Sequence, residues 1–249
     1  MATEQPARRL MLMIDGDNAQ ASLLPQMLAE VSKYGMMKIR RVYGDWGSQQ
    51  LKPWKDLLHT YALKPEQQFS YTSGKNATDI ALIIDAMDFI NTAGVDGICI
   101  VSSDSDYTPL ATRIREKNLF VMGIGRKQTP RAFVNACDVF VYTENLQPSE
   151  QEIATNHRSV EDGDIVEVNG SPDIEDLFRT AFDSTVQDDN WAHLGTWGSS
   201  LRTLDPAFDS RTYGHKSLSK LVLANPDFFE VDKRETKGGH DVYIRLKES

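Results

Sequence analysis

The sequence predicts an α/β domain built on an open parallel sheet, followed by a smaller α+β module. Three observations carry that expectation. From Leu10 to Tyr142, short β-branched or apolar runs alternate with longer segments whose apolar residues recur near helical spacing, the pattern of a Rossmann-like parallel sheet with helices on both faces. Residues 147–171 then lose large apolar residues, show no sustained period and gain an acidic bias, as a solvated linker does. From Pro172 onward, three short helical segments precede two strand-like runs.

Taken in order, the expected strands are 10–14 (LMLMI), 38–43 (KIRRVY), 69–72 (FSYT), 97–102 (GICIVS), 119–124 (LFVMGI) and 139–143 (VFVYT). The expected helices between them lie within 22–35, 51–64, 77–94, 107–118 and 129–136, with Gly35, Gly94 and Asn118 at plausible stops. In the tail, helices are expected within 172–186, 193–208 and 214–226. A two-stranded ribbon follows at 228–233 and 241–246, joined by a turn around Gly238 and Gly239. That order is the signature of a winged-helix module. The boundaries read as 8–147 for the first domain, 148–171 for the linker and 172–249 for the second domain.

Bulk composition narrows the function. With 27 Lys and Arg against 36 Asp and Glu, the net charge of −9 argues against a chain coated in basic charge for indiscriminate polyanion binding, though a local basic patch is compatible with it. Two cysteines, Cys99 and Cys137, give neither a disulfide framework nor a zinc site, and fit a reducing cytoplasm. Arg8 and Arg9 precede only a short apolar run that Asp15 interrupts. No uncharged apolar stretch reaches about 18 residues, so neither a targeting segment nor a membrane partner is expected.

Ligands of open parallel sheets bind at the carboxyl ends of the strands, and that edge collects acids here. Asp15, Asp17 and Asn18 follow the first strand; Ser103, Asp104 and Asp106 follow the fourth; Lys75, Asn76 and, in the first helical turn, Asp79 follow the third. One Asp after a strand is ordinarily a helix cap or turn residue, and Asp17 suits such a cap. Asp85 and Asp88 suit a polar helix face. Acids converging from three strands are different, because like charges in one site oppose one another's ionisation unless a cation neutralises them. Oxygen ligands, few in number, point to Mg²⁺ or Mn²⁺.

These residues also resemble a family. "MLMIDGDN", "GKNATDIALIIDAMD", "IVSSDSDYTPL" and "RAFVNACDVFVY" resemble the NYN domain, a branch of the PIN-like nuclease superfamily, across 10–146, and 174–246 resembles the OST-HTH or LOTUS winged-helix domain. The resemblance implies a metal-dependent ribonuclease whose catalytic, metal-holding acids are Asp15, Asp79, Asp104 and Asp106, the last either ligand or support. Asp138 sits in a family-like context but suits a structural cap equally.

Substrate contacts are expected at the same edge. Lys75, Arg126, Lys127 and Arg131 can meet phosphate charge, Asn18 and Ser103 stand beside the acids, and Thr108 and Thr129 are further hydroxyl donors or simply turn residues. Trp46, after the second strand, either stacks on an unpaired base or packs in the core. Arg113, Arg115 and Lys117 suit a solvated helix face. In the tail, His215, Lys216 and Lys220 fall in the expected third helix and Lys233, Arg234 and Lys237 in the wing. The expected function is a Mg²⁺- or Mn²⁺-dependent endoribonuclease whose partner is single-stranded or structured RNA. A protein partner for the winged-helix face and a homodimer are both compatible with the chain. The rivals are a non-catalytic RNA-binding adaptor and a phosphatase suggested by "DGD", whose usual following threonine is replaced by Asn18.

Overall fold

The computed structural model describes residues 7–68, 77–92, 94–147, 172–236 and 239–247. The chain divides into two compact units, Met1–Pro148 and Ser149–Ser249. The segment 148–171, read as a linker, lies outside the described residues, as do Lys75, Asn76, Lys237 and Gly238.

In the first unit the elements run β1 (Arg9–Asp15), α1 (Leu24–Ser32), β2 (Met36–Gly44), α2 (Lys52–Thr60), β3 (Lys64–Gln67), α3 (Ala77–Thr92), β4 (Gly97–Val101), α4 (Thr108–Glu116), β5 (Phe120–Gly125), α5 (Arg131–Ala136) and β6 (Val139–Tyr142). The sheet order is β3-β2-β1-β4-β5-β6, with every neighbouring pair parallel. Successive strands step outward from β1 to β3, and β4 then returns to the other side of β1. The crevice where the order reverses lies between the carboxyl ends of β1 and β4, the place where open α/β sheets bind ligands.

Strand β1 occupies the centre because it is apolar on both faces: Leu10 to Ile14 are wholly buried, as a central parallel strand covered on both sides requires. Leu10, Leu12 and Ile14 share a core with Leu24, Met27, Val31, Trp54, Cys99 and Val101. Pro25, Pro53 and Pro109 open α1, α2 and α4, where a missing N–H is no loss.

Gly16 carries the chain out of β1 across the top of β2. Its N–H donates to the Tyr43 carbonyl at 2.8 Å, and an added Cβ would stand 2.9 Å from that same oxygen. From beneath, the Trp54 indole donates to the Gly16 carbonyl at 3.2 Å, so α2 supports the loop that presents Asp17 and Asn18.

One strand of this unit has no counterpart among the expected elements. The third strand is Lys64–Gln67, which overlaps the expected helical segment 51–64 only at Lys64, and the expected strand at 69–72 lies outside the described residues. The helix stops at Thr60, Ala62 takes φ 50°, and "KPEQ" pairs only with β2. A polar edge strand containing Pro65 has no apolar alternation to announce it.

The second unit contains α6 (Pro172–Asp183), β7 (Ala192–His193), α7 (Leu194–Leu204), α8 (Leu218–Leu223), β8 (Phe229–Thr236) and β9 (Gly239–Leu246), with an antiparallel sheet in the order β7-β9-β8. The expected ribbon is therefore three-stranded, since a two-residue strand leaves no pattern in sequence. Phe178, Trp197 and Phe229 meet pairwise at 5.4 to 5.6 Å between ring centroids and form the centre of its core with Leu201, Leu221 and Ile244. His215 and Lys216 precede the third helix rather than lying in it, because the Ser217 side chain caps α8 by accepting from the Lys220 N–H. No helix among the described residues is long and apolar enough to cross a membrane.

Gly16→Ala should destabilise the first unit by about 1 to 3 kcal/mol, because the Leu51 side chain near the new methyl can shift but the Tyr43 carbonyl cannot. Chemical denaturation should show a lower midpoint at unchanged slope.

Candidate active site

Asp15 ends β1 at the switch point and is wholly buried. Its Oδ2 accepts from the Asn18 amide at 2.8 Å and from the Ser102 hydroxyl at 2.9 Å, whereas its buried Oδ1 has no hydrogen-bond partner among the described residues. Burial pushes its pKa up to about 6 despite those two donors, and the nearby Asp79 and Asp17 charges add to the rise.

The neighbouring acids repeat the arrangement. Asp79, in the first turn of α3, accepts through Oδ1 from the buried Tyr107 hydroxyl at 2.6 Å. Asp17 accepts through Oδ2 from Thr78 at 3.1 Å, and burial raises its pKa, with Asp45 and Asp79 adding to the rise. Asp104 caps the 3-10 turn Ser105–Tyr107, its Oδ1 accepting from the Asp106 N–H at 2.9 Å. Each of the four thus has one oxygen tied to a neutral donor, while the other accepts no hydrogen bond from a described residue. Asp106 itself is exposed.

Ser102 links the strands: it donates to Asp15 and accepts from the Asp104 N–H at 3.1 Å. Neither Ser102 nor Tyr107 stood out in the sequence. Their only signal was membership of "VSSDSDY", since burial decides that these hydroxyls face the acids.

On the far side of Asp104 a cleft of about 300 Å³ is lined by Asn18, Ser103, Asp104, Ser105, Arg126, Gln128 and Pro130. The Ser103 hydroxyl accepts from the Arg126 N–H at 2.9 Å, and both oxygens of Glu144 accept from the Lys127 N–H, so the β5–α5 loop is held by its backbone while the Arg126 and Lys127 side chains stay exposed. Arg131 is exposed in the first turn of α5. Thr129 is buried and donates to the Arg126 carbonyl, and Thr108 donates to the Ser105 carbonyl; both serve turns.

Other residues lie elsewhere. Trp46 packs against the core, with its indole donating to the Glu66 carbonyl at 3.2 Å. Asp138 bridges Arg115 at 3.3 Å and the Val121 N–H at 2.8 Å, a structural role. Arg113 pairs with Glu116, and Lys117 is exposed. Asp85 accepts from Arg41 and from the Tyr43 hydroxyl. In the second unit Lys216, Lys220 and Lys233 are exposed. Arg234, by contrast, is clamped by Asp189 and Asp232 at 2.9 Å each and lies 4.1 Å over the Tyr243 ring, which takes it away from any phosphate.

The first unit is a PIN-like α/β domain, a six-stranded parallel sheet with acids gathered at its switch point. The model of the NYN domain matches residues 9–146, and that of the OST-HTH/LOTUS domain matches 170–240. The chain belongs to the NYN domain family. NYN domains are PIN-like nuclease domains and OST-HTH/LOTUS domains bind RNA, so this is a nuclease-like RNA-binding protein. Among solved structures it is similar to a protein of unknown function from Vibrio parahaemolyticus (16% identity, 57% of this chain and 96% of that one, TM-score 0.48). It is also similar to an uncharacterized protein from Nitrosomonas europaea (30%, 37% and 88%, 0.31) and to a protein from Chromobacterium violaceum (34%, 30% and 82%, 0.27). No curated protein matches.

The donor set fits a hard divalent cation. A buried carboxylate oxygen without a donor is unfavourable until positive charge reaches it. Among the described residues no three acidic, His or Cys side chains already converge as a closed cage. Mg²⁺ keeps several of its waters and does not need such a cage.

Because the folded-state pKa of Asp15 lies above its ordinary value of 3.8, the fold binds this proton more tightly than the unfolded chain does, and stability falls as pH rises from about 4 to about 6. A rise of this size corresponds to about 3 kcal/mol. In EDTA, Asp15→Asn should therefore be the more stable form at pH 7.5, by roughly 1 to 3 kcal/mol, with the advantage gone near pH 4. Denaturation curves at the two pH values check this.

Proposed function

We propose that the chain is a Mg²⁺- or Mn²⁺-dependent endoribonuclease of the cytoplasm, with its second unit holding the RNA substrate. The observation that carries this reading is the partnerless, wholly buried Oδ1 of Asp15, at the switch point beside Asp79 and Asp104. Asp15, Asp79 and Asp104 would hold the cation and the exposed Asp106 would support it. When bound, the cation supplies the positive charge that eases ionisation of a water and stabilises charge developing on the phosphate.

The chain's own groups do the rest. Asn18 and Ser102 keep the Asp15 carboxylate in one orientation. Arg126, with Lys127 beside it in the same loop, meets the phosphodiester charge across the cleft from Asp104, and the loop bonds of Ser103 and Glu144 hold that loop in place. In-line attack by water leaves 5′-phosphate and 3′-hydroxyl ends. A covalent route through cysteine finds no support: Cys99 and Cys137 are buried, and burial pushes both thiols up, away from the reactive thiolate. Lys216 and Lys220 form the RNA-binding face of the second unit, with Lys233 on the neighbouring strand.

Asp104→Asn retains the capping oxygen but loses the charge, so it should fold normally and lose about 100-fold or more of its Mn²⁺-dependent cleavage of end-labelled RNA. Turnover like the parent's would remove Asp104 from the site. Asp85→Asn should cleave normally, because Arg41 and Tyr43 engage that carboxylate in an ion network apart from the acid set. RNA that is bound but never cut, with either metal, would leave the chain as a non-catalytic adaptor.

Reversing both Lys216 and Lys220 to Glu should weaken RNA binding in an anisotropy titration, while cleavage of saturating short substrate stays near normal. Unchanged affinity would turn the second unit into a protein-interaction module.

A further inference from the structure

The acids of the site are tied by donors of different kinds. Asn18 and Thr78 are half-exposed or exposed side chains whose bonds compete with water. Tyr107 is wholly buried, is carried inward by the 3-10 turn that Asp104 caps, and reaches Asp79 from below at 2.6 Å. Its ring is fixed by packing near Phe133, with centroids 6.3 Å apart, and Phe133 in turn meets Phe140 edge-on at 5.8 Å. The hydroxyl therefore has a single rotatable proton and a rigid stem.

Resting on the nuclease reading above, we infer that Tyr107 is a positioning residue for the cation site: its hydroxyl fixes the Asp79 carboxylate so that Oδ2 is left for the cation. Asp79 stands on α3 while Asp15 and Asp104 stand on β1 and after β4, so nothing in the sheet registers Asp79 against the other two. The Tyr107 bond supplies that registration. It couples the 3-10 turn after β4 to the first turn of α3, and the same turn places Asp104. One turn thereby sets two acids, one directly through its cap and one through a phenol. A neutral donor is suited to the task, because it orients a carboxylate without cancelling the charge that attracts the cation.

The test is Tyr107→Phe in the full chain, which keeps the ring and removes only the hydroxyl. Mn²⁺ is titrated while thermal stability is followed, and calorimetry reads the affinity independently. The dissociation constant should rise about tenfold. At saturating Mn²⁺, kcat should return to within about threefold of the parent's, and the KM for RNA should not move. A lower melting temperature in EDTA with an unchanged Mn²⁺ midpoint would mean that Tyr107 only supports the fold, and would overturn the inference. Should Tyr107→Phe fail to fold, the Tyr107 ¹³Cζ resonance of the parent chain gives the answer during a Mg²⁺ titration. It should shift with the same midpoint as the thermal response, and a resonance that ignores Mg²⁺ would overturn the inference. A parent chain that neither responds to Mn²⁺ nor cleaves RNA would sink the nuclease reading and this one together; a normal parent with an unaltered variant would sink this one alone.

Discussion

Holding several carboxylates at one end of a crevice, without letting protons or an internal base neutralise them, is the constraint around which the first unit is built. The solution is to tie one oxygen of each acid to an uncharged donor: Asn18 and Ser102 for Asp15, Thr78 for Asp17, Tyr107 for Asp79 and the Asp106 N–H for Asp104. Lysine or arginine in those places would stabilise the acids more strongly but would discharge the site. Neutral donors fix geometry and leave the field intact, and they only partly offset the burial that raises the pKa of Asp15 and Asp17.

The sheet makes that arrangement affordable in structural terms. Asp15 can be wholly buried because it terminates a strand whose preceding five residues are buried on both faces, so the backbone that presents it is among the least mobile in the unit. The loop beyond it is pinned from two sides, by the Gly16 bond to Tyr43 and by the Trp54 indole. Ser102, one residue past β4, then bridges the two strands that flank the switch point. The cations follow the opposite logic. Arg126 and Lys127 sit on a loop fastened by its backbone, so their side chains remain exposed to meet a polyanion.

In the second unit, charge is spent differently. Arg234 and Arg245 lie over Tyr243 and Trp191 and pair with Asp189, Asp232 and Glu230, so these arginines bind the strands to one another. The lysines around α8, Lys216 and Lys220, are exposed instead. A net charge read from composition could not separate the two uses.

The sequence by itself determined the class of fold and the acids at its edge. Central strands such as "LMLMI" and "GICIV" are apolar on both faces and so print themselves as continuous runs, and an acid directly after such a run has to emerge at the carboxyl edge. Tertiary structure alone decided what carries no local period. The edge strand "KPEQ" and the two-residue β7 exist only because a neighbour's backbone groups seek partners there. Trp46 and Trp54 are both tryptophans near the same edge, yet only packing sends one to the β3 backbone and the other beneath Gly16. Ser102 and Tyr107 are ordinary hydroxyl residues in sequence. Their roles arise because a hydrogen bond is made across the fold, between residues whose separation along the chain says nothing about their distance in space.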